Sequence, residues 1–277
     1  MMPRFERRIG LWLHSESPAH FTEVKNYWWL LPLAWIVSPS RVFPRRGIPL
    51  IGRREVTVKL RCGDAFRLRI NEVFTIFEVY AIHCYDFPEL SMESIDNIVD
   101  VGSNVGVATL WLMRQYPHAR LTALEPAADS YRRMMENVSR SGLADRVNGI
   151  NAGVGASNGD GFLVQGVSST VSHVDRHIGT SGIAVNVIDL PNLLSLVGGS
   201  IDLMKIDCEG AEYEFLGGAS LDDLKCIRAL IGEFHPASVE KQQAFFDHLE
   251  AAGFRVRRST NFKFDDGAIG VFGAWRD

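Results

Sequence analysis

The chain has 277 residues, of which 46% are hydrophobic and 22% charged, and its formal net charge is −4. This composition excludes a low-complexity chain and predicts a globular protein with one main core and room for an appendage. The small net charge gives no indication of nucleic acid as a partner. The four cysteines are widely spaced and form no C-x-x-C pair. They favour reduced thiols in a cytoplasmic protein over a disulfide framework or a zinc site.

We predict that residues 1–95 form an N-terminal cap over the substrate site. Within them, residues 27–37 form an apolar run with three tryptophans, too short for a stable membrane span and interrupted by Pro32. We expect this run to pack against the main domain or the substrate entrance, or against a second copy in a homodimer. Attachment to a membrane surface is the alternative. Apolar residues alternate on both sides of Gly63, which predicts a β-hairpin, and residues 73–85 have near-helical apolar spacing.

The segment from Ile98 to Gly106 has the pattern of a strand, a glycine turn and the start of a helix. Its spacing, Gly102-x-x-x-Gly106, lacks the third glycine of the dinucleotide fingerprint. The glycines permit close approach of a ligand, and the free N–H groups of the helix favour an anionic group. S-adenosylmethionine offers such a carboxylate beside a cationic ammonium and sulfonium, which would suit Asp100. The predicted cofactor-binding residues here are Asp100, Gly102, Ser103, Asn104 and Gly106.

The next predicted strand ends in Glu125-Pro126, 25 residues after Asp100. This separation is close to the roughly 20 residues at which a carboxylate binds ribose hydroxyls in a doubly wound sheet. We therefore predict that Glu125 and Pro126 contact the nucleoside; the alternative is that Glu125 only favours the following helix N-terminus. A later glycine-rich stretch predicts Gly153 near the adenine or, equally, in a plain surface turn.

A group of carboxylates follows the predicted buried strand from Ile201 to Ile206: Asp207, Glu209 and Glu212. Crowded carboxylates repel one another, so they need a cation or a proton donor among them. That group could be Lys205, the sulfonium, a substrate or a metal. The alternative, a preference of acidic residues for helix N-termini, explains Glu212 well and Asp207 less well. We predict that Asp207 contacts the cofactor and that Glu209 belongs to the catalytic group.

Glu233 and His235 end another apolar strand, and their spacing of two puts them on the same face. Histidine exchanges a proton near neutral pH, and a neighbouring carboxylate can orient its ring. Both residues are therefore candidates for catalysis. His173 and His177 are spaced like a metal pair on a helix, but helical periodicity and a third ligand are missing there. A divalent metal is not predicted, and metal dependence stays open.

Strand and helix patterns alternate from residue 96 onward, which predicts an α/β fold. The patterns of residues 239–252, 254–257 and 268–275 predict a helix and a terminal hairpin with a turn near 265–267. Such a hairpin fits a mostly parallel sheet with one antiparallel strand.

These segments resemble the FkbM-type methyltransferases over roughly residues 70–275. The K-I-D-x-E-G-A-E segment is the most specific part, and Ser103 stands where the family often has alanine. The resemblance implies a Rossmann-like sheet of seven strands in residues 96–277, S-adenosylmethionine as methyl donor, and usually an oxygen acceptor. The matching segments are Val99–Gly106, Glu125-Pro126, Asp202–Glu212 and Glu233–His235.

We hypothesise that His235 is the base that removes the proton of an acceptor hydroxyl, oriented by Glu233, while Glu209 or Asp207 positions the acceptor. The aromatic residues within 21–43 indicate a bulky or apolar small molecule, such as a natural product, a sugar or a lipid-like scaffold.

Other functions stay open. N- or C-methylation would use the same fold. An NAD-linked oxidoreductase is disfavoured by the missing third glycine and by Asp100. A non-catalytic binding protein is disfavoured by the intact Asp100, Glu125 and His235.

Overall fold

The computed structural model describes residues 55–60, 62–87, 90, 94–165, 172–175, 182–264 and 267–276. The predictions for residues 27–37, for His177 and for the turn at 265–266 lie outside the described residues, as does the side chain of His173.

The described chain begins with an antiparallel hairpin of β1 (Glu55–Lys59) and β2 (Ala65–Arg69), which confirms the predicted hairpin. A continuous helical stretch follows. It consists of a 3₁₀ turn (Ile70–Glu72), α1 (Val73–Ile76) and a π-helical turn (Phe77–Ala81). The predicted helix of this region is therefore present, but it is irregular and ends earlier.

Strands and helices then alternate to the end of the chain. The elements are β3 (Asn97–Val101), α2 (Val107–Gln115), β4 (Arg120–Leu124), α3 (Ala128–Arg140), β5 (Val147–Ile150), β6 (Gly153–Val154), β7 (Gly159–Gln165), β8 (Ser172–Asp175), β9 (Ile183–Ile188), α4 (Leu190–Leu196), β10 (Ile201–Ile206), α5 (Glu212–Phe215), α6 (Leu221–Lys225), β11 (Ile227–Phe234), α7 (Val239–Ala251), β12 (Arg255–Phe264) and β13 (Gly267–Trp275).

The main sheet has seven strands in the order β12-β13-β11-β10-β3-β4-β5. β13 runs antiparallel to both of its neighbours, and the pairs from β11 to β5 are parallel. This is the predicted Rossmann-like sheet with one antiparallel strand. The carboxyl ends of β3, β4, β10 and β11 meet at one edge, which is where ligands bind in such sheets.

A second sheet of four strands, in the order β6-β9-β7-β8, lies between β5 and α4 in the sequence. Gly153, which we expected in a glycine-rich connection, belongs to β6 and pairs in parallel with Val187 of β9. The predicted loop is therefore interrupted by a short strand, whose backbone groups are held by the ladder.

The two faces of the main sheet carry separate hydrophobic cores. Ile98 belongs to the core that also contains Phe66 of the hairpin and Leu110 of α2. Its neighbour Val99 faces the other core, which α4 to α7 cover. The hairpin thus shares a core with the sheet, since side chains alternate between the faces of a strand.

A buried ion pair ties the helical stretch to α3. Glu72 and Arg133 are both fully buried, and Arg133 Nη2 donates to Glu72 Oε1 over 3.0 Å. Breaking such a pair by removing one partner typically costs about 3–5 kcal/mol, because the other charge stays buried. The stretch is therefore firmly positioned beside the sheet.

Every helix in the described part of the chain is too short or too polar to cross a membrane. The four cysteines are free thiols.

Candidate functional site

A cavity lies at the carboxyl edge of the main sheet, between the strand ends and the helical stretch of residues 70–81. Most predicted site residues line it, including Gly102, Ser103 and Asn104 of the glycine turn (residues 102–106) and residues at the strand ends. The helical stretch and the loop after it line the opposite wall. The lining residues that matter below are Asn71, Tyr85, Gly102, Ser103, Asn104, Glu125, Pro126, Gly153, Lys205, Asp207, Cys208, Glu209 and Glu233.

The glycine turn passes very close to the end of β10. A Cβ on Gly102 would lie 1.8 Å from the carbonyl oxygen of Asp207, and the φ of Gly102 is +73°. Only glycine fits both constraints. Gly106, with φ +86°, precedes α2. It opens the helix behind the turn and is not among the described residues that line the cavity.

Asp100 does not face the cavity, contrary to our expectation. It is fully buried, and its Oδ2 accepts a hydrogen bond of 2.6 Å from Thr109 Oγ1 of α2. Its Oδ1 lies 3.1 Å from Lys205 Nζ. The alternation of side chains along β3 turns Asp100 towards the face that α2 covers. Its position is therefore beneath the glycine turn, where Lys205 also donates to the carbonyl oxygen of Gly102 over 2.9 Å.

Glu125 lies in the cavity, beside the glycine turn. Its Oε2 accepts from the backbone N–H of Asn104 over 2.8 Å, and its Oε1 accepts from that of Ala127 over 2.9 Å. Burial raises the pKa of Glu125 to about 7, although both hydrogen bonds oppose the rise. A carboxylate has about four acceptor positions, so two remain for the hydroxyls of a ligand.

Two buried amide oxygens in the cavity wall have no hydrogen-bond partner among the described residues: Oδ1 of Asn71 and Oδ1 of Asn104. Buried polar atoms are rarely left unpaired, so a ligand with hydrogen-bond donors is the simplest explanation. S-adenosylmethionine fits this wall, because it carries an ammonium group and ribose hydroxyls. Asn104 itself adopts a left-handed φ of +48°.

On the other side of the cavity lies a group that we call the strand-end cluster: Asp207, Glu209, Glu212, Glu233 and His235. Its centre is the contact between His235 and Glu212. The side chain of Glu212 is fully buried. Glu212 Oε1 lies 3.1 Å from His235 Nδ1 and accepts from the backbone N–H of His235 over 2.9 Å. The carboxylate at Nδ1 is thus that of Glu212, where we expected Glu233.

His235 Nε2 points towards the cavity side of the strand-end cluster. It lies 3.4 Å from Glu209 Oε2 and 3.7 Å from Asp207 Oδ1. Burial lowers the pKa of His235, but the three carboxylates of Glu212, Glu209 and Asp207 outweigh it and raise the pKa to about 10. The ring therefore carries a proton at neutral pH and is a poor proton acceptor in this arrangement.

Asp207 is held by contacts from two other parts of the chain. Its Oδ2 accepts from the hydroxyl of Tyr85 over 3.0 Å and lies 3.8 Å from Lys205 Nζ. Asp207 also belongs to a possible group of metal ligands. It offers one donor atom, as do Glu233 and His235, and these three atoms lie within 4.8 Å of one another.

Sequence reasoning did not predict the contacts that three of these contributors make. Glu212 lies in the most specific motif, so its acidic position was visible although its contact with His235 was not. Lys205 was considered only as one cation among several. Tyr85 gave no signal, because it lies 122 residues from its partner Asp207.

Comparison with known proteins identifies relatives of the chain. The family model for the methyltransferase FkbM domain matches residues 100–256. Methyltransferase sdnD from Sordaria araneosa is 26% identical over 223 residues, which cover 69% of this chain and 85% of sdnD. The 31-O-demethyl-FK506 methyltransferase FkbM from Streptomyces tacrolimicus is 25% identical over 192 residues, with 58% and 74% covered.

Among solved structures, an O-methyltransferase from Bacillus cereus in complex with SAH is 14% identical and superposes with a TM-score of 0.42. It matches 74% of this chain and 90% of its own.

Proposed function

Because the chain belongs to the FkbM family of methyltransferases, we propose that it transfers the methyl group of S-adenosylmethionine to a hydroxyl oxygen of a small molecule. The observation that carries this proposal is the position of Glu125. Its carboxylate lies inside the cavity, at the end of the strand next to the glycine turn, and is held there by the N–H groups of Asn104 and Ala127. A sheet of this kind binds ribose hydroxyls at such a carboxylate.

The cofactor, when bound, supplies an activated methyl group on a sulfonium. We assign its binding to the glycine-turn side of the cavity. Glu125 accepts from hydroxyl groups, and the unpaired Oδ1 atoms of Asn71 and Asn104 accept from further donors. Pro126 and Gly153 complete that wall. Asp100 contributes indirectly, from beneath the glycine turn. It pairs with Lys205, and Lys205 donates a hydrogen bond to the Gly102 carbonyl oxygen.

The acceptor hydroxyl is assigned to the side of the strand-end cluster. Transfer of a methyl group to that oxygen would release the hydroxyl proton, so a residue on this side of the cavity must accept it. We assign that proton to Glu209, which lines the cavity 3.4 Å from His235 Nε2. His235, already protonated in the free protein, is a positioning residue that holds Glu209 and Asp207 in place.

Backbone strain at Glu209 supports its role. Its φ is +56°, a left-handed conformation that costs a non-glycine residue about 1–3 kcal/mol. Such strain is concentrated at functional sites, where the surrounding structure enforces it. Here the strained residue lines the cavity. The choice of oxygen as acceptor is supported by the FkbM relative, whose name describes methylation of a demethylated oxygen on a small molecule.

Calorimetry tests the cofactor assignment. S-adenosylhomocysteine, the product form of the cofactor, should bind the full chain with one site, and Glu125→Gln should weaken binding by roughly 10-fold. Asp222→Asn is the matched control, because Asp222 is exposed on α6 and pairs only locally with Lys225. Absence of heat with the unmodified chain would reject the proposal.

A further inference from the structure

We propose that Asp207, Glu233 and His235 form a binding site for a divalent transition-metal cation on the acceptor side of the cavity. The existence of this site is independent of the proposed function; only the role of the ion, which is to bind the acceptor oxygen, rests on it. Asp207 and Glu233 line the cavity, while His235 is buried directly behind them.

The donor atoms are close to the spacing that one ion requires. One atom from each residue lies within 4.8 Å of the others, and His235 Nε2 is 3.7 Å from Asp207 Oδ1. Ligands about 2.1 Å from an octahedral ion lie roughly 3.0 Å apart when adjacent and roughly 4.2 Å apart when opposite. Small side-chain rotations would therefore suffice. The backbone that carries these residues is rigid, because β10 and β11 are neighbouring parallel strands.

Contacts outside the three residues already orient two of them. The side chain of His235 is only 7% exposed, and its Nδ1 contacts the fully buried Glu212, so Nε2 is the nitrogen left to face the cluster. Metal-binding histidines generally give their other nitrogen to a carboxylate or carbonyl in this way. The hydroxyl of Tyr85 occupies Oδ2 of Asp207. Oδ1, which lies on the side of His235 Nε2, remains for an ion.

The charge around the site favours a cation. The strand-end cluster contains four carboxylates and one imidazole, and Lys205 Nζ lies 3.8 Å from Asp207 Oδ2. Lys205 is already paired with Asp100 and donates to the Gly102 carbonyl. Crowded carboxylates gain most from a compact opposite charge. A divalent ion would supply that charge.

One imidazole with two carboxylates is a donor set for Mn²⁺, Fe²⁺ or Zn²⁺ rather than for Ca²⁺, which takes oxygen ligands. Three protein ligands leave coordination positions open towards the cavity, as in catalytic sites. An acceptor hydroxyl bound there would lose its proton more easily, because a metal ion lowers the pKa of a coordinated oxygen. Glu209 lies beside Nε2 and is placed to take that proton.

The test is Mn²⁺ binding to the metal-stripped full chain, followed by electron paramagnetic resonance and calorimetry. We expect one site per chain. Asp207→Asn and Glu233→Gln should each weaken it by about 10-fold or more, as loss of a ligand does. Asp222→Asn removes the same charge from exposed α6 and should leave the affinity unchanged. His235→Gln is the third variant, accepted only if its thermal unfolding matches that of the unmodified chain.

Two results would overturn the site: no saturable binding of Mn²⁺ or Zn²⁺ at millimolar concentration, or binding that Asp222→Asn weakens as much as Asp207→Asn does. Calorimetry with S-adenosylhomocysteine on the same preparations separates this proposal from the proposed function. Nucleoside binding without metal binding would reject the metal site alone. Metal binding without nucleoside binding would reject the proposed function and leave the site.

Discussion

On the glycine-turn side of the cavity, Glu125 is held by backbone N–H groups of Asn104 and Ala127. On the opposite side, Asp207 and His235 are held by the side chains of Tyr85 and Glu212. Backbone donors are fixed by the strand–turn–helix itself and tolerate changes in neighbouring side chains. A cluster of side chains depends on each of its members. We therefore expect substitutions to affect cofactor binding on the first side and turnover on the second.

The largest expected effect is on the glycine-turn side, where the backbone itself is the binding element. In Gly102→Ala the new Cβ would lie 1.8 Å from the Asp207 carbonyl oxygen, so the turn must move. We expect binding of S-adenosylhomocysteine to fall at least about 100-fold, with a loss of stability of roughly 3 kcal/mol. Calorimetry and urea unfolding measure the two effects.

Gly142→Ala is the control for that experiment. Gly142 has nearly the same φ, +71°, but nothing lies within 4 Å of its Cβ position. Only the conformational strain should remain, about 1 kcal/mol, with unchanged affinity. Equal effects of the two substitutions would mean that the close approach of the strands has no role in binding.

His235→Ala addresses the strand-end cluster. We expect turnover to fall about 100-fold or more, while the affinity for S-adenosylhomocysteine changes less than about 3-fold. The physical reason is that Glu209 and Asp207 lose the group between them, whereas no contact on the glycine-turn side changes. Single-turnover kinetics with the acceptor, and calorimetry, give the two values. A near-normal rate would show that His235 has no role in turnover. A large loss of affinity for S-adenosylhomocysteine would show that the strand-end cluster also contributes to cofactor binding.

The sequence predicted the glycine-turn side better than the strand-end cluster, and the reason is the range of the contacts. Glu125 and Asn104 are 21 residues apart within one strand–helix–strand unit. The sequence predicted both as cofactor-binding residues, although it did not predict the contact between them. Asp100 shows the limit even there. A carboxylate at a strand end can point to either face, and β3 turns Asp100 under α2, where Thr109 binds it.

In the strand-end cluster the motifs identified the right residues but not their pairing. Glu233 and His235 share a face of β11, which made Glu233 the natural partner of the ring. The actual partner of Nδ1, Glu212, comes from the helix after the neighbouring strand. Packing of α5 against the end of β11 decides this choice, and no local pattern contains it. The α/β class was predictable from apolar strand patterns that alternate with helix patterns, whereas the number of seven strands came from the family resemblance and agrees with the observed sheet.

The pH dependence of cofactor affinity sharpens the comparison further, because it reports on Glu125 directly. Burial raises the pKa of Glu125 to about 7 in the free protein. Ribose hydroxyls donate hydrogen bonds and favour the ionised carboxylate, so binding should lower this pKa and release protons. Affinity for S-adenosylhomocysteine should rise between pH 5.5 and about 7.5 and then level off. Glu125→Gln should bind more weakly and lose this pH dependence.

The same group affects stability with the opposite sign. Because the folded-state pKa of Glu125 lies above its unfolded value, its contribution is most favourable at low pH and is lost as the pH rises through 7. Urea unfolding of the free chain at pH 5.5 and 8, compared with Glu125→Gln, measures this difference. An identical pH response of the two proteins would show that Glu125 is ionised throughout and that the pKa is not raised.

The smallest expected effect comes from Tyr85→Phe, which removes one hydroxyl and keeps the ring. Tyr85 donates to Asp207 Oδ2 over 3.0 Å, and its ring lies 5.7 Å from Lys205 Nζ. Loss of a hydrogen bond to a charged group costs about 1.5–3 kcal/mol at most, and Lys205 can compensate part of it. We expect turnover to fall roughly 3- to 10-fold with unchanged S-adenosylhomocysteine affinity. Tyr116→Phe serves as the control, because Tyr116 lies at the C-terminal end of α2 and is not among the described residues that line the cavity. If Tyr85→Phe instead weakened the nucleoside and spared turnover, the boundary between the two sides would lie elsewhere, and Asp207 would belong with Glu125.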